Sequence, residues 1–232
     1  DAIKACCILA GARTLDGALV PLVGAAPTNN NFVSGDYDRE TGLVGDGSTK
    51  YLDSTYAYPV SLQNNCHSSG WFSATGTGGV AVAAYGDVGA KGSYLSPFAA
   101  RLYQEAFTTF IPSDTTTTGF RGISRSSSAS FIYRRANTNE TANIASFPVT
   151  HQSLGMFARR RNTGVYDGYS SARLAFYSIG ESLDLEKLDN RVTRLMNLIS
   201  YTQAAGLPDL ATMDLDAAAY IGGGYRAGGT LS

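Results

Sequence analysis

The sequence predicts a mostly β protein, an antiparallel jelly-roll sandwich closed by one amphipathic helix near its end. Three observations carry that expectation. Short apolar segments alternate at period two from about residue 35 to residue 179, separated by Gly, Ser, Asn and Asp clusters. Glycine is abundant, at 26 of 232 residues, as short strands joined by turns require. A single stretch then changes to helical spacing, with Leu185, Leu188, Val192, Leu195 and Ile199 at intervals of three and four.

Taken in order, residues 1–10 (Ala2, Ile3, Ala5, Cys6, Ile8, Leu9) predict a helix that Gly11 ends. Residues 15–34 mix apolar and turn-forming residues, and Pro21 and Pro27 restrict them to edge or extended conformations. Val80 to Tyr85, Leu154 to Ala158 and Leu174 to Ile179 alternate as half-buried strands. Asp167-Gly168 predicts a hairpin turn between Val165-Tyr166 and the strand starting at Arg173. Ser182 or Asp184 is placed to cap the helix, and Gly206-Leu207-Pro208 ends it. The expected organisation is therefore an N-terminal helix and connector over 1–31, a sandwich domain over 32–202 and an assembly segment over 203–232. The start at Asp1 without Met, and the stop at Ser232 in a Gly-rich run, read as a piece of a longer polypeptide.

Composition narrows the function. Hydrophobic residues make up 44% and charged ones only 16%, below the roughly 25% of an average domain. A Tyr-rich, weakly charged exterior suits coverage by other chains. A net charge of −1 gives no electrostatic case for nucleic acid. No apolar run reaches the roughly 18 residues of a membrane span, so no membrane insertion is expected. Cys6, Cys7 and Cys66 form no disulfide framework, which fits folding in a reducing cytoplasm without a secretory leader.

Chemistry is sparse, and no enzyme is predicted. His67 and His151 stand in unrelated contexts, and no zinc-type histidine pair, nucleophile elbow or phosphate loop occurs. The glycines at 76–79 and 222–224 lack a nucleotide-binding context. Asp38 with Glu40, or Glu105 with Asp114, make a poor glycosidase pair because nothing marks them as buried or facing. Asp36, Asp38 and Glu40 alternate and supply oxygen ligands of the type calcium takes, which makes calcium the one cofactor to consider. The simpler reading is a solvated turn whose aspartates bond local backbone. Arginine is distributed more tellingly: Arg121, Arg125, Arg134, Arg135, Arg159, Arg160, Arg161 and Arg173 fall in one stretch with only Glu140 and Asp167 as acids. Arginine forks anions and stacks on rings. Tyr133, Arg134, Arg135, Arg159, Arg160, Arg161, Tyr166 and Tyr169 are thus candidates for contact with an anionic surface polysaccharide, or for a protein interface, which prefers the same residue types.

Three ordered stretches resemble the concanavalin A-like jelly roll of the laminin-G and pentraxin type. They are Gly42 to Leu52 with its Asp46-Gly47 turn, Gly164-Val165-Tyr166-Asp167-Gly168, and Ala172 to Leu188. The resemblance covers about residues 32–200 and implies a lectin-like sandwich. The runs Ala10 to Leu15, Thr41 to Leu52, Tyr177 to Val192 and Asp214 to Gly229 also resemble phage and prophage virion proteins, tail-fibre proteins above all. That resemblance implies a structural protein of a bacteriophage particle, on its tail or capsid surface. Its partners would be other virion proteins, its own copies (a trimer, as fibres favour) and a host-surface polysaccharide. A capsid decoration or cement role is the alternative, and a glycan-degrading enzyme a third.

Overall fold

The computed structural model describes residues 1–76, 82–85, 92–96, 100–102, 118–147 and 152–204. In chain order the strands are β1 (Ile3–Ile8), β2 (Thr28–Asn30), β3 (Tyr37–Asp38), β4 (Gly42–Val44), β5 (Tyr51–Asp53), β6 (Cys66–Ala74), β7 (Val82–Tyr85) and β8 (Gly92–Leu95). They continue as β9 (Ala100–Leu102), β10 (Gly119–Arg125), β11 (Phe131–Arg135), β12 (Thr138–Ala142), β13 (Gly155–Met156), β14 (Arg159–Arg161), β15 (Tyr166–Asp167) and β16 (Arg173–Gly180). A one-turn helix α1 (Leu15–Ala18) follows β1, and α2 (Leu185–Ala204) follows β16.

Two sheets form. The first runs β12-β11-β10-β6-β16-β4-β3, with β1 also paired to β16. The second runs β15-β14-β7-β13-β5-β2, with β8 and β9 continuing from β7. Pairing is antiparallel except between β14 and β7. Between the sheets lies a core that includes Leu43, Leu52, Phe72, Ile123, Phe131, Met156, Phe157, Leu174 and Tyr177. This is the antiparallel sandwich that the alternating segments predict.

A third layer closes the first sheet's outer face. Leu185, Val192 and Met196 of α2 meet Cys6, Phe120, Ala175 and Phe176, with Trp71, Leu188, Leu195 and Ile199 at the margin. The apolar stripe read from the sequence is therefore covered within the chain. Asp184 supplies the cap by accepting from the Lys187 N–H at 3.0 Å. At Gly122 on β10 an added Cβ would lie 2.7 Å from Leu185 Cδ2, so the missing side chain lets the helix seat.

Two expectations are corrected. Residues 1–10 are not helical: Ile3–Ile8 is a strand on β16. Ala5, Cys7 and Leu9 enter the core between the sheets, while Cys6 and Ala10 enter the core under α2. A strand apolar on both faces loses the period-two signature and imitates a buried helix. Asp167-Gly168 does not turn a hairpin into Arg173 either. β15 pairs back onto β14 around residues 162–165, and β16 belongs to the other sheet. Asp167 is occupied by arginines, as described below, and the chain crosses between sheets after it.

Phe157 places the β14–β15 hairpin. Its left-handed φ of 66° reverses the chain, so that β13 runs antiparallel and β14 parallel along the same β7. Such a conformation costs a bulky residue about 1 kcal/mol or more. The buried ring, packed edge-on against Phe32 at 5.0 Å, offsets it.

Cys6, Cys7 and Cys66 are buried free thiols. Parts of the sequence reading lie outside the described residues: Val80 and Ala81, Gly78 and Gly79, the glycines at 222–224, Glu105, Asp114, His151 and the segment 205–232.

Candidate functional site

Alternation along β5 turns Leu52 into the core and leaves Tyr51 and Asp53 on the outer face of the second sheet. β13 does the same, with Met156 inward and Gly155 paired opposite Asp53. An added Cβ at Gly155 would come within 2.6 Å of the Ala158 carbonyl oxygen and 2.9 Å of Tyr166 Cε1. The ring of Tyr166 therefore lies across a floor that only glycine provides. It stacks on Tyr51, with centroids 3.8 Å apart and planes at 26°. Tyr169 stands beside Tyr51 at 6.2 Å and donates its hydroxyl to the Tyr166 carbonyl oxygen at 3.3 Å. Three tyrosines thus form one half-buried aromatic platform.

Arg160, opposite Tyr166 in the hairpin, lies over that ring at 5.5 Å. Its Nη1 donates to Asp53 Oδ2 at 2.7 Å and to the Ser153 hydroxyl. Burial first, and then the Asp53 charge, push the Tyr166 phenol well above its ordinary range, so it stays protonated. Arg160 Nε, Asn162 Oδ1 and Tyr166 Oη are buried without a hydrogen-bond partner, all within this one hairpin. Polar capacity that a chain leaves unused is rare in interiors and marks a place where water or ligand bonds.

The neighbouring arginines point to the other side of the hairpin. Arg159 grips Asp167 bidentately, Nε to Oδ1 at 2.5 Å and Nη2 to Oδ2 at 2.8 Å, and Arg161 Nε donates to Oδ2 at 2.5 Å. The hydrogen bonds from Arg159 hold the Asp167 carboxyl below the usual carboxylate range, and those from Arg161 add to it.

Tyr133, Arg134 and Arg135 lie on the first sheet, apart from this group. Tyr133 faces the core, only 6% exposed, and its hydroxyl donates to Glu140. Burial, followed by that carboxylate, pushes its phenol up to about 12. Arg134 is 5% exposed and donates Nε to Asp189 Oδ2 of α2 at 2.6 Å and Nη1 to Asn139 Oδ1 at 3.1 Å. It is a strut between sheet and helix rather than a surface contact. Arg135 pairs with Glu140 at 3.0 Å and overlies the Tyr133 ring.

The acidic run does not converge. Asp36 pairs with Lys50, Asp38 accepts from the Thr41 hydroxyl at 2.6 Å and from the backbone of Glu40 and Thr41, and Glu40 accepts from Ser200. Among the described residues no three His, Cys, Asp or Glu side chains are grouped to hold a metal ion. The aspartates act as turn acceptors.

One Ser–His pair looks catalytic by distance alone. His67 Nε2 lies 3.0 Å from Ser178 Oγ, which is 2.7 Å from Ser69 Oγ, and Nδ1 lies 2.6 Å from the Glu181 carbonyl oxygen. All three side chains are fully buried. No substrate reaches them, and burial lowers the His67 pKa to about 4.

The sequence reading missed Tyr51, Asp53, Ser153 and Gly155. The alternation of Tyr51-Leu52-Asp53 carried the signal for an outward pair, but nothing local says that β5 lies beside β13.

No family model matches this chain, and no curated protein matches it. Solved structures do. The botulinum neurotoxin serotype D binding domain superposes with a TM-score of 0.52 at 9% identity, over 82% of this chain and 51% of that one. A binding domain of botulinum neurotoxin DC, solved in complex with SialylT, gives 0.43 at 12% identity, over 77% and 46%. The chain spans about half the length of these structures. The first of them shows that this chain carries a β-sandwich fold.

Proposed function

We propose that the chain is a non-enzymatic binding module that attaches to a host-surface glycan through the outer face of its second sheet. The observation that carries this reading is the Tyr51–Tyr166–Tyr169 platform with Arg160 and Asp53 at its edge. Sugar rings present flat C–H faces that pack on aromatic rings, and their hydroxyls pair with just such carboxylate and guanidinium groups. The resemblance of Ala10 to Leu15, Thr41 to Leu52 and Tyr177 to Val192 to tail-fibre proteins supports placing the module on a bacteriophage tail, as a homotrimer. The test is direct: Tyr166→Ala and Tyr51→Ala should abolish binding to host cells while the oligomer, read by sedimentation, stays intact. Unchanged cell binding by both variants removes the proposal.

A second reading, a capsid decoration or cement protein, has its own observation. Leu22 and Val23 run along the free edge of β1, hydrogen-bonded to Cys6, and with Val20 they are exposed. Exposed apolar residues grouped on one edge suit an interface with another chain. Loss of particle stability on replacing Val20 and Leu22 with serine, with cell binding retained, favours this reading over the first.

A further inference from the structure

Resting on the glycan-binding reading of the second sheet's outer face, we infer that this face selects a neutral sugar with adjacent hydroxyls rather than an anionic one. The arginine-rich sequence points the other way, to an acidic polysaccharide. The geometry removes the charge that such a ligand needs. Among the described residues Arg160 is the arginine on the platform, and its Nη1 is committed to Asp53 at 2.7 Å and to Ser153. Both partners of that pair keep about a fifth of their surface exposed, at 23% and 19%, so a ligand can reach them. Arg159 and Arg161 are turned to the opposite side of the hairpin and tied to Asp167.

An incoming carboxylate or sulfate at this edge meets the Asp53 carboxylate as soon as it meets the guanidinium, and the like charges repel. A pair of vicinal hydroxyls meets no such conflict. One accepts from Arg160 while the other donates to Asp53, and both partners keep their charges compensated. Thr28 and Asn30, opposite Asp53 and Tyr51 on β2, extend the face with uncharged polar groups. The Tyr166 phenol remains protonated and neutral at physiological pH, adding a donor without adding charge.

The test uses the whole chain against immobilised neutral oligosaccharides (glucose-, galactose- and N-acetylhexosamine-containing) and their carboxylated and sulfated counterparts. Each is read at 50 and 500 mM NaCl. Binding of neutral members, changing less than about twofold with salt and lost more than tenfold in Tyr166→Ala, is the expected result. Asp53→Asn should then shift the ratio of carboxylated to neutral binding at least tenfold towards the carboxylated sugars, because it frees Arg160. Thermal melting of each variant checks that the fold persists. If only anionic members bind, with steep salt dependence, and Tyr166→Ala abolishes that binding, the neutral selection is overturned while the platform stands. Binding that ignores Tyr166→Ala, or no binding to any member, overturns the platform itself and the inference with it.

Discussion

The two sheets expose their outer faces to different fates. On the first sheet α2 lies across β10, β11 and β12, and the arginine beneath it, Arg134, is sealed against Asp189. On the second sheet no helix among the described residues lies over the strands, and Arg160 meets Asp53 in a pair that solvent still reaches. Each face uses one glycine to admit a side chain, Gly122 for Leu185 and Gly155 for Tyr166. The same residue types therefore do different work. Under the helix an Arg–Asp pair and apolar side chains hold layers together; on the bare face an Arg–Asp pair and stacked tyrosines are left to meet another molecule. Residue identity does not distinguish the two cases. Coverage does.

The comparison breaks first at Asp189. Replacing it with alanine leaves the Arg134 guanidinium buried beside Asn139 alone, and should cost about 3–5 kcal/mol in urea unfolding. The equivalent Asp53→Ala, at a pair that water reaches, should cost about 1 kcal/mol or less. Equal losses at the two positions would show that the second face is sealed as tightly as the first.

His67 sharpens the same contrast by pH. The unfolded side chain takes up a proton near pH 6.5, whereas in the folded protein it resists until about pH 4. Protons therefore favour unfolding within that window. Stability should be complete above about pH 6.5 and fall by about 3 kcal/mol as the pH drops to about 4. A His67→Gln variant should lose this slope in unfolding titrations across that range. A wild-type profile already flat there would mean that the His67–Ser178–Ser69 chain opens to water.

On the bare face, Tyr51→Ala removes a stacked partner at about 1 kcal/mol of stability. The larger loss, tenfold or more, should appear in glycan binding measured by calorimetry. The smallest effect belongs to the exposed edge. Val20→Ser and Leu22→Ser should stay within about 0.5 kcal/mol of the parent in thermal melting. A drop in assembly without a drop in melting would assign that edge to an interface between copies.

Much of the sandwich was readable along the chain. The strand over Leu174 to Ile179 and the 3-4 spacing of α2 are written locally; the alternations themselves slip, at a bulge in β16 that puts Leu174 between the sheets and Phe176 under α2, and at Phe157, whose left-handed turn brings its ring into the core beside Met156. β1 was not, because burial on both faces erases the pattern that separates strand from helix. The arginines show the same limit at the site. Sequence placed Arg134, Arg159 and Arg160 in one basic patch, yet one lies under the helix and two lie on opposite sides of a hairpin. Charge partners such as Asp189 and Asp53 sit 55 and 107 residues away along the chain. Pairing at such separations is a property of the topology, and no local window contains it.

The buried thiols have a practical consequence. Cys6 sits in the layer under α2, while Cys7 and Cys66 line the gap between the sheets, and burial raises the Cys6 pKa to about 12. All three thiols are buried, so a thiol-reactive dye reaches none of them until the layer that covers it opens. Labelling at low denaturant is thus a clock for rare opening events: one rate shared by all three sulfurs reports a molecule that opens as a unit, and a faster rate at Cys6 alone reports the helix lifting first.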